Sequence, residues 1–197
     1  MKFLVVGSTG LIGSYVAKTL SKHGTVIGVS RTTQISVDVK DPSSIKAMYE
    51  KVGKVDAFAS CIGKVAFKPV AELTYEDYLM GLKDKALGQV ELVRAGIDFL
   101  NDGGSFTLMT GVLARDPIPS GSVAALANGA IESFTLAAAI DLPRGIRINT
   151  VSPNVLVEAT SYHASFPGFH QVTAQSVADA YVKSILGKQT GQIYKLD

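Results

Sequence analysis

A glycine-rich stretch near the amino terminus carries the residue types best suited to bind a phosphate. Gly7, Gly10 and Gly13 follow the apolar run 2–6, which predicts a strand. Where a strand turns into a helix, glycines let the backbone approach a pyrophosphate, and the free N–H groups of the helix favour its negative charge. We therefore predict that a dinucleotide binds all seven residues of the stretch: Gly7, Ser8, Thr9, Gly10, Leu11, Ile12 and Gly13.

The residues after the second predicted strand indicate which dinucleotide binds. A Rossmann-type protein that uses NAD usually has an acidic residue there for the ribose hydroxyls, whereas this chain has Ser30, Arg31 and Thr32. A guanidinium forms strong charge-assisted bonds with a 2′-phosphate, so we predict NADP(H) in preference to NAD(H). The alternative is that Arg31 is a solvated loop residue.

A further acidic residue lies where a third strand is predicted to end. The Asp38 carboxylate, followed by Val39, could accept a hydrogen bond from the adenine amino group of the cofactor. An aspartate that only forms a turn is the alternative.

Strands and helices alternate along the whole sequence and would position these residues. Apolar periodicity and turn residues predict strands at 2–7, 25–30, 35–39, 55–60, 105–109, 146–151 and 192–196. They predict helices at 11–23, 42–51, 74–100, 122–142 and 174–186. This alternation predicts an α/β Rossmann fold, a doubly wound parallel sheet in the order 3-2-1-4-5-6-7, in a single domain spanning 1–197.

Composition excludes several classes of partner. The 197 residues are 47% hydrophobic and carry a net charge of +2, which is too weak a field to indicate nucleic acid binding. The apolar segment 123–140 is interrupted by polar residues, so no membrane span is expected. One cysteine and no signal-like segment before the first strand indicate a cytoplasmic protein.

At several separate positions the chain resembles the short-chain dehydrogenase/reductase family. The matching pieces are the glycine turn 7–13, Arg31, the pair 38–39, the turn 61–63, the turn 103–105 and the segment 147–153. The resemblance implies that the turn after the fourth strand and the proline after the sixth contact the cofactor: Cys61, Ile62, Gly63 and Pro153. Asn154 stands where the family has a glycine, and the glycine spacing is closer to that of atypical branches.

The catalytic Tyr-x-x-x-Lys pair of that family is missing from this sequence. Alignment of the family's helix with 128–131 puts Ala125 at the tyrosine position and Gly129 at the lysine position. None of the seven tyrosines has a lysine four residues later, so no shifted copy of the motif exists. A proton donor, if present, must be another residue.

Three residues are the candidates for a catalytic role. Thr110 lies beside Gly111, which aligns with the family's catalytic serine, and its hydroxyl could bond a substrate carbonyl. Lys85 aligns with a family asparagine and could hold a water or a substrate oxygen, and Tyr162 could reach the nicotinamide from the segment 154–173. Structural or solvated roles are the alternatives for all three, and no metal site is expected because the histidines lack a third ligand.

Two functions follow from these observations. The resemblance implies an NADP(H)-dependent oxidoreductase that acts on a small carbonyl or alcohol with a non-standard active site. The missing pair favours the alternative, a catalytically silent NADP(H)-binding sensor or regulatory protein. In either case apolar residues spread around more than one face of the helix 122–142. The resemblance implies that this helix and the helix 74–100 pair with their copies across a two-fold axis, in a homodimer or homotetramer.

Overall fold

Six parallel strands form one sheet in the computed structural model, which describes residues 1–197. The strands are β1 (Lys2–Val6), β2 (Thr25–Val29), β3 (Val55–Ser60), β4 (Leu100–Met109), β5 (Arg147–Pro153) and β6 (Ile193–Leu196). Their spatial order is β2-β1-β3-β4-β5-β6, so the chain reverses direction across the sheet between β1 and β3. The carboxyl ends of these two strands meet at that switch point, where α/β sheets commonly bind ligands.

Helices cover both faces of the sheet. They are α1 (Leu11–Leu20), α2 (Pro42–Val52), α3 (Tyr75–Gly81), α4 (Gly88–Gly96), α5 (Ser122–Ala138) and α6 (Ala174–Leu186). No helix combines the length and the apolar character that a membrane span requires.

Strand β1 shows why its sequence is apolar at every position. Leu4 and Val6 point to the core shared with α2, α4 and α5, whereas Phe3 and Val5 point to the core shared with α1 and α6. A parallel strand covered on both faces buries every side chain, and this explains the continuous apolar run. The predicted fold class is confirmed.

The predicted third strand is wrong, and the sheet has six strands rather than seven. Residues 35–39 make only an isolated bridge between Ser36 and Ser30. The Thr33 hydroxyl accepts from the Ser30 N–H at 2.7 Å and donates to the Ile35 carbonyl at 2.7 Å. These bonds use backbone groups that a ladder would need, so the segment forms a loop. The other strands keep the predicted order.

The predicted helix 74–100 is interrupted by a π-helical segment at 82–87, which we call the wide turn. A capping box starts α3, in which Thr74 Oγ1 accepts from the Asp77 N–H and the Asp77 carboxylate accepts from the Thr74 N–H. A π-helical segment, Leu82–Leu87, then separates α3 from α4, and β4 already begins at Leu100. The extra residue in each π turn changes which side chains face the sheet.

Candidate functional site

A first cavity, of about 420 Å³, opens at the carboxyl ends of β1, β2 and β3. We call it the turn cavity, because the glycine turn forms one wall. Eleven of the predicted cofactor residues line it: Gly7, Thr9, Gly10, Ser30, Arg31, Thr32, Asp38, Val39, Cys61, Ile62 and Gly63. Ser8, Leu11 and Gly13 do not line it. The sequence analysis missed Lys40 and Lys64, which also line the cavity. The only indication in the sequence was that each is a basic residue directly after a predicted cofactor contact.

Close backbone packing requires the glycines of the turn. Gly7 has φ +87°, and a Cβ atom there would lie 2.5 Å from the Cys61 carbonyl oxygen. A Cβ atom at Gly13 would lie 2.0 Å from the Gly7 carbonyl oxygen. Either contact is far below van der Waals distance, so the turn can form only with glycine at both positions.

Helix α1 begins at this turn without a side-chain cap. Its N-cap is Gly10, and its first turn has no acidic residue. Helix α5 likewise begins at a glycine, Gly121, without a side-chain cap, whereas Asp41 caps α2 and Thr173 caps α6. The first N–H groups of a helix have no intrahelical partner and carry partial positive charge. At α1 they are available to an anion.

The loop after β2 is held by its own hydroxyl groups. Ser30 Oγ accepts from the Thr32 N–H at 3.1 Å, so these two side chains shape the loop. Arg31 between them is exposed and has neither a hydrogen bond nor an ion pair within the chain. The Asp38 carboxylate accepts from the Lys40 N–H at 3.0 Å, which is the turn role that the sequence left open.

A second cavity, of about 350 Å³, adjoins the first. We call it the lysine cavity, because the structure brings Lys85 into its wall together with Thr110 and Tyr162, the other two catalytic candidates. Gly63 and Lys64 line both cavities. Two predicted cofactor residues, Ile12 and Pro153, line this second cavity rather than the first.

Helix α5 presents a different pair of residues to the lysine cavity than the alignment assigned. Ala124 and Asn128 line it, one position before Ala125 and Gly129, and a Cβ atom at Gly129 would meet nothing within 4 Å. Positions four apart share one helix face, so the register decides which pair faces the cavity. The buried residues at 123, 124, 127, 128 and 131 show this face, and their spacing was the available signal.

Asn128 is a cavity residue that the sequence analysis missed. It is 3% exposed, and its Nδ2 donates to the Gly111 carbonyl at 3.3 Å. Its Oδ1 is buried and has no hydrogen-bond partner. A buried acceptor without a partner costs free energy, so this oxygen suits a ligand that brings a donor.

The Thr110 hydroxyl proton is engaged within the protein. Thr110 is 4% exposed, and its Oγ1 donates to Glu132 Oε1 at 2.9 Å. The Ser152 hydroxyl donates to the same oxygen at 2.9 Å, and Arg115 donates to Ser152 Oγ at 2.8 Å. Thr110 therefore joins the ends of β4 and β5 to α5, and toward the cavity its hydroxyl can only accept.

Lys85 lies in the π-helical segment with its stem against Gly63. A Cβ atom at Gly63 would lie 2.7 Å from Lys85 Cγ and 2.9 Å from Cδ. Burial lowers the pKa of the Lys85 ammonium to about 8, while the neighbouring Asp84 charge acts in the opposite direction. No carboxylate lies within ion-pair distance of the ammonium.

Two aromatic rings meet at the mouth of the lysine cavity. The Tyr162 ring lies 6.3 Å from the Phe67 ring between centroids, and about half of the Tyr162 side chain is exposed. Nearby, His163 Nε2 is within 2.9 Å of the Leu156 carbonyl oxygen. Burial raises the pKa of the Cys61 thiol to about 12, which disfavours the nucleophilic thiolate.

The cavities and the sheet define the class of protein: a Rossmann fold with a glycine turn at its switch point. A sequence profile described as enoyl-(acyl carrier protein) reductase matches residues 10–191. The chain belongs to the short-chain dehydrogenase/reductase family. The resemblance found in the sequence is thus confirmed.

Two solved structures and a fungal reductase are similar to this chain. The protein lin1944 from Listeria innocua is 49% identical, with 100% of both chains covered and a TM-score of 0.98. A small-chain dehydrogenase in complex with NADPH is 27% identical, with 100% of this chain and 96% of that chain covered and a TM-score of 0.89. Hydroxynaphthalene reductase arp2 of Aspergillus fumigatus is 25% identical over 175 residues, and the chain spans only 64% of its length.

Proposed function

We propose that this chain is an NADP(H)-dependent oxidoreductase that acts on a small carbonyl or alcohol. The observation that carries the proposal is the uncapped amino end of α1, which opens into the same cavity as the unpaired Arg31. Helix N–H groups suit a pyrophosphate, and a free guanidinium suits a 2′-phosphate. We further propose that residues 1–197 act as one cofactor-binding domain.

The residues of both cavities fit such a cofactor. Gly7 to Gly13 would hold the pyrophosphate, Arg31 the 2′-phosphate with Lys40 close by, and Pro153 would border the nicotinamide. The unpartnered Asn128 Oδ1 would accept a hydrogen bond from a cofactor hydroxyl. When bound, NADPH would supply a hydride, and Thr110, Lys85 and Tyr162 would surround the substrate. The NADPH complex of the related small-chain dehydrogenase supports this assignment.

We propose that the protein assembles as a homodimer or homotetramer through the 74–100 and 122–142 regions. Tyr75 and Met80 on α3 and Leu136 on α5 are more than half exposed, and Ile140 just beyond α5 is 92% exposed. Apolar side chains on adjacent helices are typical of a surface that a second copy covers. A cytoplasmic location is part of the same proposal. Light scattering at micromolar concentration that shows only monomers would contradict the assembly.

A catalytically silent NADP(H) sensor is the second candidate. Ala124 and Asn128 support it, because they face the lysine cavity from the helix on which the family carries its catalytic pair. Neither side chain can donate a proton as a tyrosine does. General acid catalysis typically contributes about 10²- to 10⁴-fold, so a site without a substitute donor would be almost inactive.

Thermal-shift titrations with NADP+, NADPH, NAD+ and NADH test the cofactor assignment. We expect stabilisation by the phosphorylated forms, and a fall in NADPH affinity of about 10- to 100-fold for Arg31→Ala, because a charge-assisted bond contributes about 1.5–3 kcal/mol. NADH binding should not change. Lys188→Ala, at an exposed position beyond α6, is the matched control. Stronger stabilisation by NADH than by NADPH would contradict the assignment.

A hydride-transfer assay on a panel of aldehydes and ketones separates the two functions. Oxidation of NADPH that depends on a carbonyl compound identifies the enzyme. NADPH binding without turnover of any compound on the panel favours the sensor.

A further inference from the structure

The wide turn places the Lys85 side chain beside Gly63, where the two cavities meet. Lys85 lines the lysine cavity, and its stem packs on Gly63, which borders both cavities. Lys85 Cγ and Cδ occupy the space where a Cβ at position 63 would lie, so glycine at this position leaves room for the Lys85 side chain. The methylene groups that carry the ammonium are therefore packed against the backbone at Gly63.

Most other donors of the lysine cavity are engaged or exposed. Thr110 donates to Glu132, and Asn128 Nδ2 donates to the Gly111 carbonyl. The Tyr162 side chain, whose ring packs on Phe67, is half exposed, and Lys64 is exposed. Lys85 Nζ has no acceptor within the chain. Lys85 is therefore the partly buried side chain that can still donate a hydrogen bond into the cavity.

Few charges face this ammonium. On its own segment, the Asp84 carboxylate already accepts from the Lys64 N–H at 2.9 Å, and Lys83 is exposed. Lys64 borders the cavity from the loop after β3. On α5, the Glu132 carboxylate accepts from both Thr110 and Ser152. Neither carboxylate lies within 4 Å of the Lys85 ammonium.

We propose that Lys85 is the proton donor to the substrate oxygen, in place of the tyrosine that the family uses. The proposal rests on the oxidoreductase function proposed above. The carbonyl carbon receives a hydride from the dihydronicotinamide, and the π electron pair of the C=O bond moves to oxygen. The Lys85 ammonium gives its proton to that oxygen, which yields an alcohol and a neutral amine. Water at the cavity mouth then restores the proton to the amine.

Burial makes this group a suitable acid near neutral pH. Its pKa of about 8 lies close to the pH at which a general acid is both protonated and able to transfer its proton. An exposed lysine, with a pKa of about 10.4, would be a much weaker acid.

The test compares Lys85→Met and Lys85→Arg with Lys83→Met, a matched change at an exposed position of the same turn. The first readout needs no turnover: the rate of amine acetylation at Lys85 in the free protein, followed by mass spectrometry from pH 6 to 11. The second is NADPH affinity by fluorescence titration. The third is the pH profile of kcat/KM for carbonyl reduction.

We expect Lys85 acetylation to rise with a midpoint near pH 8, and wild-type reduction to fall as the pH passes through the same value. Lys85→Met should bind NADPH within about threefold of wild type, yet lose about 100-fold or more in kcat/KM. Lys85→Arg should also be slow, because a guanidinium does not release its proton. Lys83→Met should behave as wild type.

Two results would overturn the proposal. They are an acetylation midpoint near pH 10 and wild-type turnover in Lys85→Met. Failure to bind NADPH, or NADPH binding by the wild-type protein without any turnover, would instead remove the oxidoreductase function itself, so the two failures are distinguishable.

Discussion

The turn cavity and the lysine cavity meet at Gly63 but are built from different parts of the chain. Backbone groups form much of the first: the glycine turn, the amino end of α1 and a loop fastened by its own hydroxyls. Side chains from α5, the wide turn and the loops after β3 and β5 form most of the second. The first contains the glycine turn on which the family resemblance rests, whereas α5 lines the second with Ala124 and Asn128.

This difference separates two requirements of a dinucleotide enzyme. A phosphate needs N–H groups and space, and a glycine turn supplies both whatever the neighbouring side chains are. Proton transfer needs one particular group at one particular distance. The turn cavity can therefore persist while the chemistry of the lysine cavity changes.

The largest effect is expected from Gly13→Ala. The added methyl would lie 2.0 Å from the Gly7 carbonyl oxygen, so the turn must open or α1 must shift. We expect a loss of about 3 kcal/mol of stability and no measurable NADPH binding, by urea denaturation and fluorescence titration. Gly129→Ala, where the added methyl meets nothing within 4 Å, should gain up to about 1 kcal/mol. Normal NADPH binding by Gly13→Ala would contradict the backbone-built turn cavity.

The second largest effect is expected in the pH dependence of the free energy of unfolding. Since burial lowers the Lys85 pKa from 10.5 to about 8, the unfolded chain binds this proton more tightly, and wild-type stability should rise between these two pH values. Lys85→Met should be more stable than wild type by about 1–3 kcal/mol at pH 7, with the partial exposure of the side chain reducing the full linkage value. Urea denaturation from pH 7 to 10.5 measures this, with Lys83→Met as the control. A Lys85→Met protein less stable than wild type at pH 7 would argue against the buried charge.

Asn128→Ala tests whether the two cavities share one ligand. If Asn128 Oδ1 accepts from a cofactor hydroxyl, NADPH affinity should fall by about fivefold, since a neutral hydrogen bond contributes about 1 kcal/mol. Asn101→Ala is the control, because Asn101 donates to Asp56 at the amino-terminal ends of β3 and β4, whereas the cavities lie at the carboxyl ends of the strands. Fluorescence titration should show no change for the control. Unchanged affinity in Asn128→Ala would mean that NADPH does not extend into the lysine cavity.

The smallest effect is expected from Tyr162→Phe. The ring packs on Phe67 at the cavity mouth and the hydroxyl has no partner in the chain, so kcat should change by less than about threefold. Tyr162→Ala should raise KM, because it removes the ring that covers the mouth. Steady-state kinetics of both variants measure these changes in kcat and KM. Tyr78→Phe, the same exchange on α3, is the control. A 100-fold fall in kcat for Tyr162→Phe would make Tyr162 the proton donor and exclude Lys85.

Local pattern was sufficient to predict most of the fold. The apolar runs of β1 and β3 and the glycines after β1 define strands and turn without long-range information. The strand predicted at 35–39 is absent because the Thr33 hydroxyl bonds the Ser30 N–H and the Ile35 carbonyl. Apolar periodicity carries no information about such side-chain bonds, which compete with strand pairing.

The candidate site was less accessible to sequence reasoning. Arg31 and part of the glycine turn line the turn cavity, and the sequence could place them there because both directly follow a strand. Their binding roles stay predictions. Asn128 was missed because a one-residue error in helix register turns a neighbouring side chain to the cavity. Phe67 was missed because its contact with Tyr162 joins loops that are distant in sequence.

The wide turn between α3 and α4 also makes the position of Lys85 dependent on chain length. One residue on an α-helix corresponds to about 100° of rotation, so deleting a single residue from Leu82–Leu87 would restore an ordinary helix and turn Lys85 away from Gly63. Insertions and deletions in this segment, as well as substitution of Lys85 itself, are therefore changes that would remove this lysine from the cavity. Two relatives that both keep the lysine would differ in chemistry if their turns differed by one residue.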